Sequence, residues 1–270
     1  MTTGSGEPDT LVELPIEGAP GAPAKPTFLR ALEDGAANVA LAAMAILPIV
    51  ELLWRTVSRG GIPGAGPLVQ HLTLWVGFLG AAIAAREGRL LALATVTFIP
   101  AGRPRRIAEA FAAAVSAAVA ALLCRAGIGL VLVERTSGES VAFVPVWVAQ
   151  LVLPIAFALI ALRLVWRAPG GIGGRALAGL GLVAGIVIGQ APQWLEGRPA
   201  WPGLTLVLVG TALGGPIFAL LGGIAVVYFL QSGVPIAAMP VETYRLAVNP
   251  TLAAVPLFTL TGYLLSESQA

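Results

Sequence analysis

Apolar runs of membrane-spanning length constrain this chain more than any other feature. A bilayer core is about 30 Å thick and takes about 20 consecutive apolar residues as a helix. Lipid offers the backbone no hydrogen bonds, so a run of this kind crosses as a helix. Such runs cover residues 36–54, 68–85, 107–133 and 141–162. A shorter, Gly-rich run covers 176–189, and its flanks extend it to spanning length. Residues 203–230 are long enough to cross with tilt, and 252–265, interrupted by Pro256, form an incomplete seventh. The chain is therefore predicted to be all-α and multi-pass, with six to seven transmembrane helices. The run 90–101 is too short to cross. Arg86 and Arg89 precede it and Arg103, Arg105 and Arg106 follow it, so it is predicted to lie as one helix at the interface. Composition agrees: 57% of residues are hydrophobic and 11% charged, against about 25% charged in soluble domains.

The rest of the inventory excludes most chemistry. His71 and Cys124 are the only residues of their kinds, which rules out an intrachain disulfide and a His/Cys zinc cluster. The only lysine, Lys25, is followed by Pro26, so there is no Gly-Lys-Ser/Thr phosphate loop. A net charge of +2 gives no nucleic-acid footprint. With no paired aspartates in the spans, acid–base catalysis has no titratable pair to use, and no enzyme or cofactor is expected.

Residues 1–35 are predicted to be a disordered tail, because the opening 26 are rich in Gly, Pro, Ala and acidic residues and hold no apolar run. They lack the basic start and short apolar core of a signal peptide. Placing this tail in the cytoplasm puts eleven basic residues inside: Lys25, Arg30, Arg86, Arg89, Arg103, Arg105, Arg106, Arg163, Arg167, Arg175 and Arg245. Four fall outside, namely Arg55, Arg59, Arg135 and Arg198, and Arg125 lies within a span. That asymmetry follows the positive-inside rule. A glycine-rich break at 168–175 reads as a linker, so the chain divides into 36–166, a linker and connecting helix over 167–199, and 200–270.

Three polar residues stand out at membrane depth. Glu51, His71 and Arg125 all fall in the outer half of the bilayer by this topology. They form either an ion relay or a structural cluster in which Glu51 and Arg125 pair, and Glu51 has Arg55 one turn away as another partner. The structural reading is preferred because no second acid continues a relay. Gly181, Gly185 and Gly189, together with Gly210 and Gly214, form small-xxx-small pairs suited to close helix packing in lipid. Arg86 and Arg89 are candidates for lipid phosphates or a partner helix.

Certain stretches carry a family resemblance. Arg55 after the first run, then Trp75-Val-Gly-Phe-Leu-Gly-Ala-Ala-Ile-Ala-Ala-Arg86-Glu-Gly88-Arg89, resembles the DctQ-type small membrane subunit of tripartite ATP-independent periplasmic (TRAP) transporters, with Arg89 where that family usually has histidine. The stretch from Gly210 through Gly-Gly-Pro216, then Gly233-Val-Pro-Ile and Asn249-Pro through Gly262, resembles the start of the DctM-type large subunit, with Tyr263 where an asparagine is common. The resemblance implies a four-helix brace over 36–166 joined by an extra helix to the first part of the solute-moving subunit. It further implies symport of organic anions such as carboxylates with sodium as the coupling ion, a periplasmic solute-binding protein and the remaining large-subunit permease as partners, membrane lipids around it, and the bacterial inner membrane as location. No Ser-Gly-Ser tip of the ion-binding hairpins occurs. By resemblance, then, the chain stops early in its large-subunit part and is incomplete for transport; the alternative is a non-transporting scaffold that binds partner subunits.

Overall fold

The computed structural model describes residues 28–58, 60–93, 98–141, 144–247, 258 and 261–266. Among them the helices follow in order: α1 (Phe28–Ser58), α2 (Ala65–Glu87), α3 (Arg103–Ser137), α4 (Val146–Gln150), α5 (Val152–Arg167), α6 (Gly171–Gln190), α7 (Trp201–Ala212), α8 (Ile217–Gln231) and α9 (Ala238–Ala247), with a 3-10 turn at Pro192–Trp194 and further helical residues at 261–266. A two-residue antiparallel pair, β1 (Ser140–Val141) with β2 (Val144–Pro145), tightens the turn between α3 and α4. Among the described residues five helices are long and apolar enough to cross a membrane: α1, α2, α3, α4 with α5 as one stretch, and α6. The protein is an all-α, multi-pass membrane fold.

The axis of the fold is α3. Its stretch Ala112–Ala121 is mostly alanine and buried, and α5, α6, α7, α8 and α9 all pack on it. Small side chains let several helices share one neighbour, which matters in lipid, where packing contacts replace the hydrophobic drive. We call the end at Phe28, Glu87, Arg103, Arg167 and Gly171 the near end, and the end at Ser58, Ala65, Ser137 and Gln190 the far end. On one side of α3, Leu74, Leu79, Leu130, Val152 and Leu153 form a core of large side chains. The other side is lined by glycine. A Cβ at Gly181 would land on the Ala114 carbonyl, one at Gly185 would lie 2.9 Å from Ala118 Cα, and one at Gly189 would lie 3.4 Å from the Leu122 side chain. Both residue numbers rise together along these contacts, so α6 runs parallel to α3.

The apolar run 203–230 does not cross as one helix. It forms α7 and α8, folded back on each other. Gly203 faces Val227 and Gly223 faces Val207, each within 2.9 Å of a built Cβ. As the number rises on α7 it falls on α8, which makes the pair antiparallel. The break lies at Gly214-Gly215-Pro216. Gly214 takes φ 102°, and Pro216, extended at φ −70° and ψ 148°, has no N–H to continue the α7 ladder. At 12 and 15 residues the arms span about 18 and 22 Å, short of a hydrocarbon core. The hairpin opens at the far end, where Gly197 N–H donates to Gln231 C=O at 3.0 Å. Its tip reaches toward the near end, where Ile217 N–H donates to Leu91 C=O at 2.9 Å.

This correction moves residues 232–247 to the far end, α9 included: a Cβ at Gly129, near the far end of α3, would lie 2.9 Å from Ala237 Cβ. Three further expectations change. Helix α1 begins at Phe28, so residues 28–35 are helix rather than tail. The segment 90–93 is extended and bridges Pro216 at Ala92 instead of lying as an interfacial helix; residues 94–97 of that run are outside the described residues. Of the glycines in 168–175 only Gly170 lies in the three-residue turn before α6; Gly171, Gly173 and Gly174 belong to the helix itself, and Ala168 is buried. Asn249 and most of the 252–265 run also lie outside the described residues.

Candidate functional site: a charged clamp at the near end

Glu33 lies in the second turn of α1, Arg86 in the last turn of α2, and Arg163 one turn before the end of α5. All three therefore reach the near end. Arg86 Nη1 donates to Glu33 Oε2 at 3.3 Å and its Nη2 to Asp34 Oδ1 at 2.6 Å. Arg163 donates to Glu33 Oε1, and its Nη1 donates to the Ala82 carbonyl at 2.6 Å. The side chains of Glu33, Arg86 and Arg163 are only 12%, 16% and 17% exposed. One carboxylate thus satisfies two guanidiniums from two other helices. The planar fork of arginine suits this, because each guanidinium can serve two acceptors at once. Partly desolvated charges persist only with such partners. Arg86 is engaged within the chain rather than offered to lipid. Arg89 is 78% exposed and lies 3.9 Å from Glu87.

The structure does not bring Glu51, His71 and Arg125 together. Glu51 bonds Arg55 one turn on, at 3.0 Å. The reason is architectural: α1 packs along α2 and has no extended contact with α3. Arg125 packs its stem against Gly189 and makes no ion pair among the described residues. His71 is 4% exposed. Its Nδ1 lies 2.7 Å from the Pro67 carbonyl and its Nε2 2.9 Å from the Tyr244 hydroxyl. A carbonyl only accepts, so Nδ1 carries a proton and donates to Pro67, while Nε2 pairs with the phenol. Burial first, and then the Glu134 and Glu139 carboxylates, raise the Tyr244 phenol above its ordinary range, so it remains a donor. This contact fixes α9 against α2.

Of the paired glycines, Gly181, Gly185 and Gly189 face α3, Gly210 meets Val115 of α3, with a built Cβ 2.9 Å from Val115 Cβ, and Gly214 lies in the hairpin break. Sequence reading missed Glu33, Asp34 and Arg163. The available signal was two acids near the start of the chain and an arginine late in the fourth run, all at the end that holds Arg86.

No curated protein matches the chain. Residues 44–169 match the family model described as tripartite ATP-independent periplasmic transporters, DctQ component. The match begins inside α1, runs through the clamp residues Arg86 and Arg163, and stops in the turn before α6. The four-helix part of this protein, α1 to α5, is similar to the DctQ component of those transporters.

Proposed function

We propose that this chain is a membrane component of a TRAP-type transporter, its four-helix part bracing a permease that moves organic anions, carboxylates among them, on a sodium gradient. The observation that carries this reading is the DctQ match over 44–169. Residues 200–270 serve as the first part of a DctM-type subunit, with the remaining permease and a periplasmic solute-binding protein as partners. Helix α3 supports the joining of the two parts, because it packs on α5 and on the α7–α8 hairpin alike.

The near end faces the cytoplasm of a bacterial inner membrane in this proposal. With the hairpin correction, ten basic residues fall at the near end by chain order and five at the far end, Arg55, Arg59, Arg135, Arg198 and Arg245. The asymmetry keeps its sign. Reconstitution in liposomes under an inward sodium gradient tests the function, with the chain, a DctM-type permease, a binding protein and labelled carboxylates. Uptake should require both the chain and sodium; uptake indifferent to the chain overturns the proposal. Labelling single cysteines on intact cells with an impermeant reagent tests the sidedness. Cysteine placed at Ser58, Gln193 and Ser232 should label, and cysteine at Gly171 should not. Labelling at Gln193 without Ser232 would restore a crossing over 203–230.

A further inference from the structure

A groove of about 480 Å³ runs between the α3–α6 seam and the α7–α8 hairpin, open at the far end. Its walls are aliphatic, with Leu122, Ile188, Leu206 and Val227 among them. Arg198 is the only charged side chain on the wall, and it stands at the mouth, in the loop between α6 and α7. Arg198 is exposed and makes no ion pair among the described residues. The nearest acid in the chain, Glu196, has its carboxylate against Gly233 instead. Trp194 in the same loop and Trp201 at the start of α7 are 60% and 68% exposed. Exposed tryptophans of this kind sit at headgroup level, where their amphipathic rings are best solvated. Leu206 lines the groove and is itself 49% exposed, so the slot opens sideways toward hydrocarbon.

We propose that this groove is a binding site for one anionic phospholipid, an acyl chain lying along Leu122 and Leu206 with the phosphate on Arg198. An apolar slot with one cation at headgroup depth, unpaired among the described residues, matches that ligand in polarity and charge. A water-soluble anion would leave the aliphatic walls unfilled, and a peptide would bring backbone groups that these walls cannot satisfy. The surrounding leaflet supplies the lipid, and its second chain stays in the bilayer. The bound chain then fills the space between α6 and the hairpin. The inference stands on the groove alone and is independent of the transport reading.

Native mass spectrometry of the full chain in mild detergent tests it, with phosphatidylglycerol and phosphatidylcholine titrated separately. The chain should retain one phosphatidylglycerol. Arg198→Gln should weaken that retention about fivefold, the attraction of one arginine for an anionic surface, and leave phosphatidylcholine unchanged. Ala118→Phe, which fills the groove, should abolish both; Leu206→Trp blocks the lateral opening and serves where Ala118→Phe disturbs the fold, as judged by its melting midpoint. Arg135→Gln, outside the groove, should change neither lipid. Equal retention of the two lipids, or phosphatidylglycerol binding indifferent to Arg198→Gln, overturns the proposal. So does oleate binding in the absence of phosphatidylglycerol binding, which would put a free fatty acid in the groove.

Discussion

Helices α1 and α3 are both long, apolar and rich in alanine, and of nearly equal hydropathy, yet 6% of the most apolar stretch of α1 is buried against 67% for α3. Hydropathy determines that a helix enters lipid; it says nothing of what the helix touches there. What separates the two is their neighbours. Helix α3 meets glycines on α6, α7 and α8, which bring backbones within contact. Helix α1 leans on α2 and presents Leu41, Ile46, Ile49 and Leu53 to its surroundings. Its charged attachments to other helices lie at the near end, through Glu33 and Asp34.

The sharpest way to break this comparison is to enlarge a small residue on each helix system. Gly181→Leu drives a side chain into the Ala114 carbonyl, where backbone rather than a movable side chain is struck. It should cost more than about 3 kcal/mol, beyond usual overpacking, read as loss of the folded peak in detergent or a collapsed melting midpoint. Ala45→Leu on the exposed face of α1 should change stability by less than about 0.5 kcal/mol. Equal effects would mean the seam is not close-packed.

The clamp comes next. Glu33→Gln removes the carboxylate charge the two arginines share, leaving Arg163 the Ala82 carbonyl and Arg86 the Asp34 and Glu87 carboxylates, and should destabilise by about 2–3 kcal/mol. Adding Arg163→Gln should cost less than its single-mutant effect, because the stranded charge is gone. Additive melting shifts would deny the coupling.

The smallest effect belongs to Tyr244→Phe. Losing the phenol leaves buried His71 Nε2 without its hydrogen-bond partner, at about 1 kcal/mol. The raised phenol sets the pH dependence. Above the ordinary tyrosine range, near about 10, the unfolded phenol ionises while the folded one still holds its proton. The unfolded state gains, so the wild-type advantage over Tyr244→Phe is full at neutral pH and falls as pH rises through that range. Melting curves of both proteins at neutral pH and above 10 would show the gap closing; a constant gap would deny the contact.

The first five crossings were legible in the sequence because a bilayer imposes a minimum apolar length, and runs of that length have few alternatives. The hairpin was not. Residues 203–230 are apolar throughout, and Gly214-Gly215-Pro216 is compatible in sequence with either a kink or a reversal. Contacts of Gly203 with Val227 and of Gly223 with Val207 decide between them, and they are tertiary. The clamp was hidden for a different reason. Glu33 and Asp34 sit just before the first apolar run, where charge ordinarily marks the end of a span. Their helix continues past that mark because Arg86 and Arg163 satisfy them.

A hairpin that enters and leaves at one end adds nothing to the parity of crossings. Five passes, as in the proposed topology, are an odd number, so there residues 28 and 247 emerge on opposite faces. A reporter joined at one and a reporter joined at the other would never share a compartment. Whatever follows residue 247 starts its own count of crossings from the face opposite the one where α1 began.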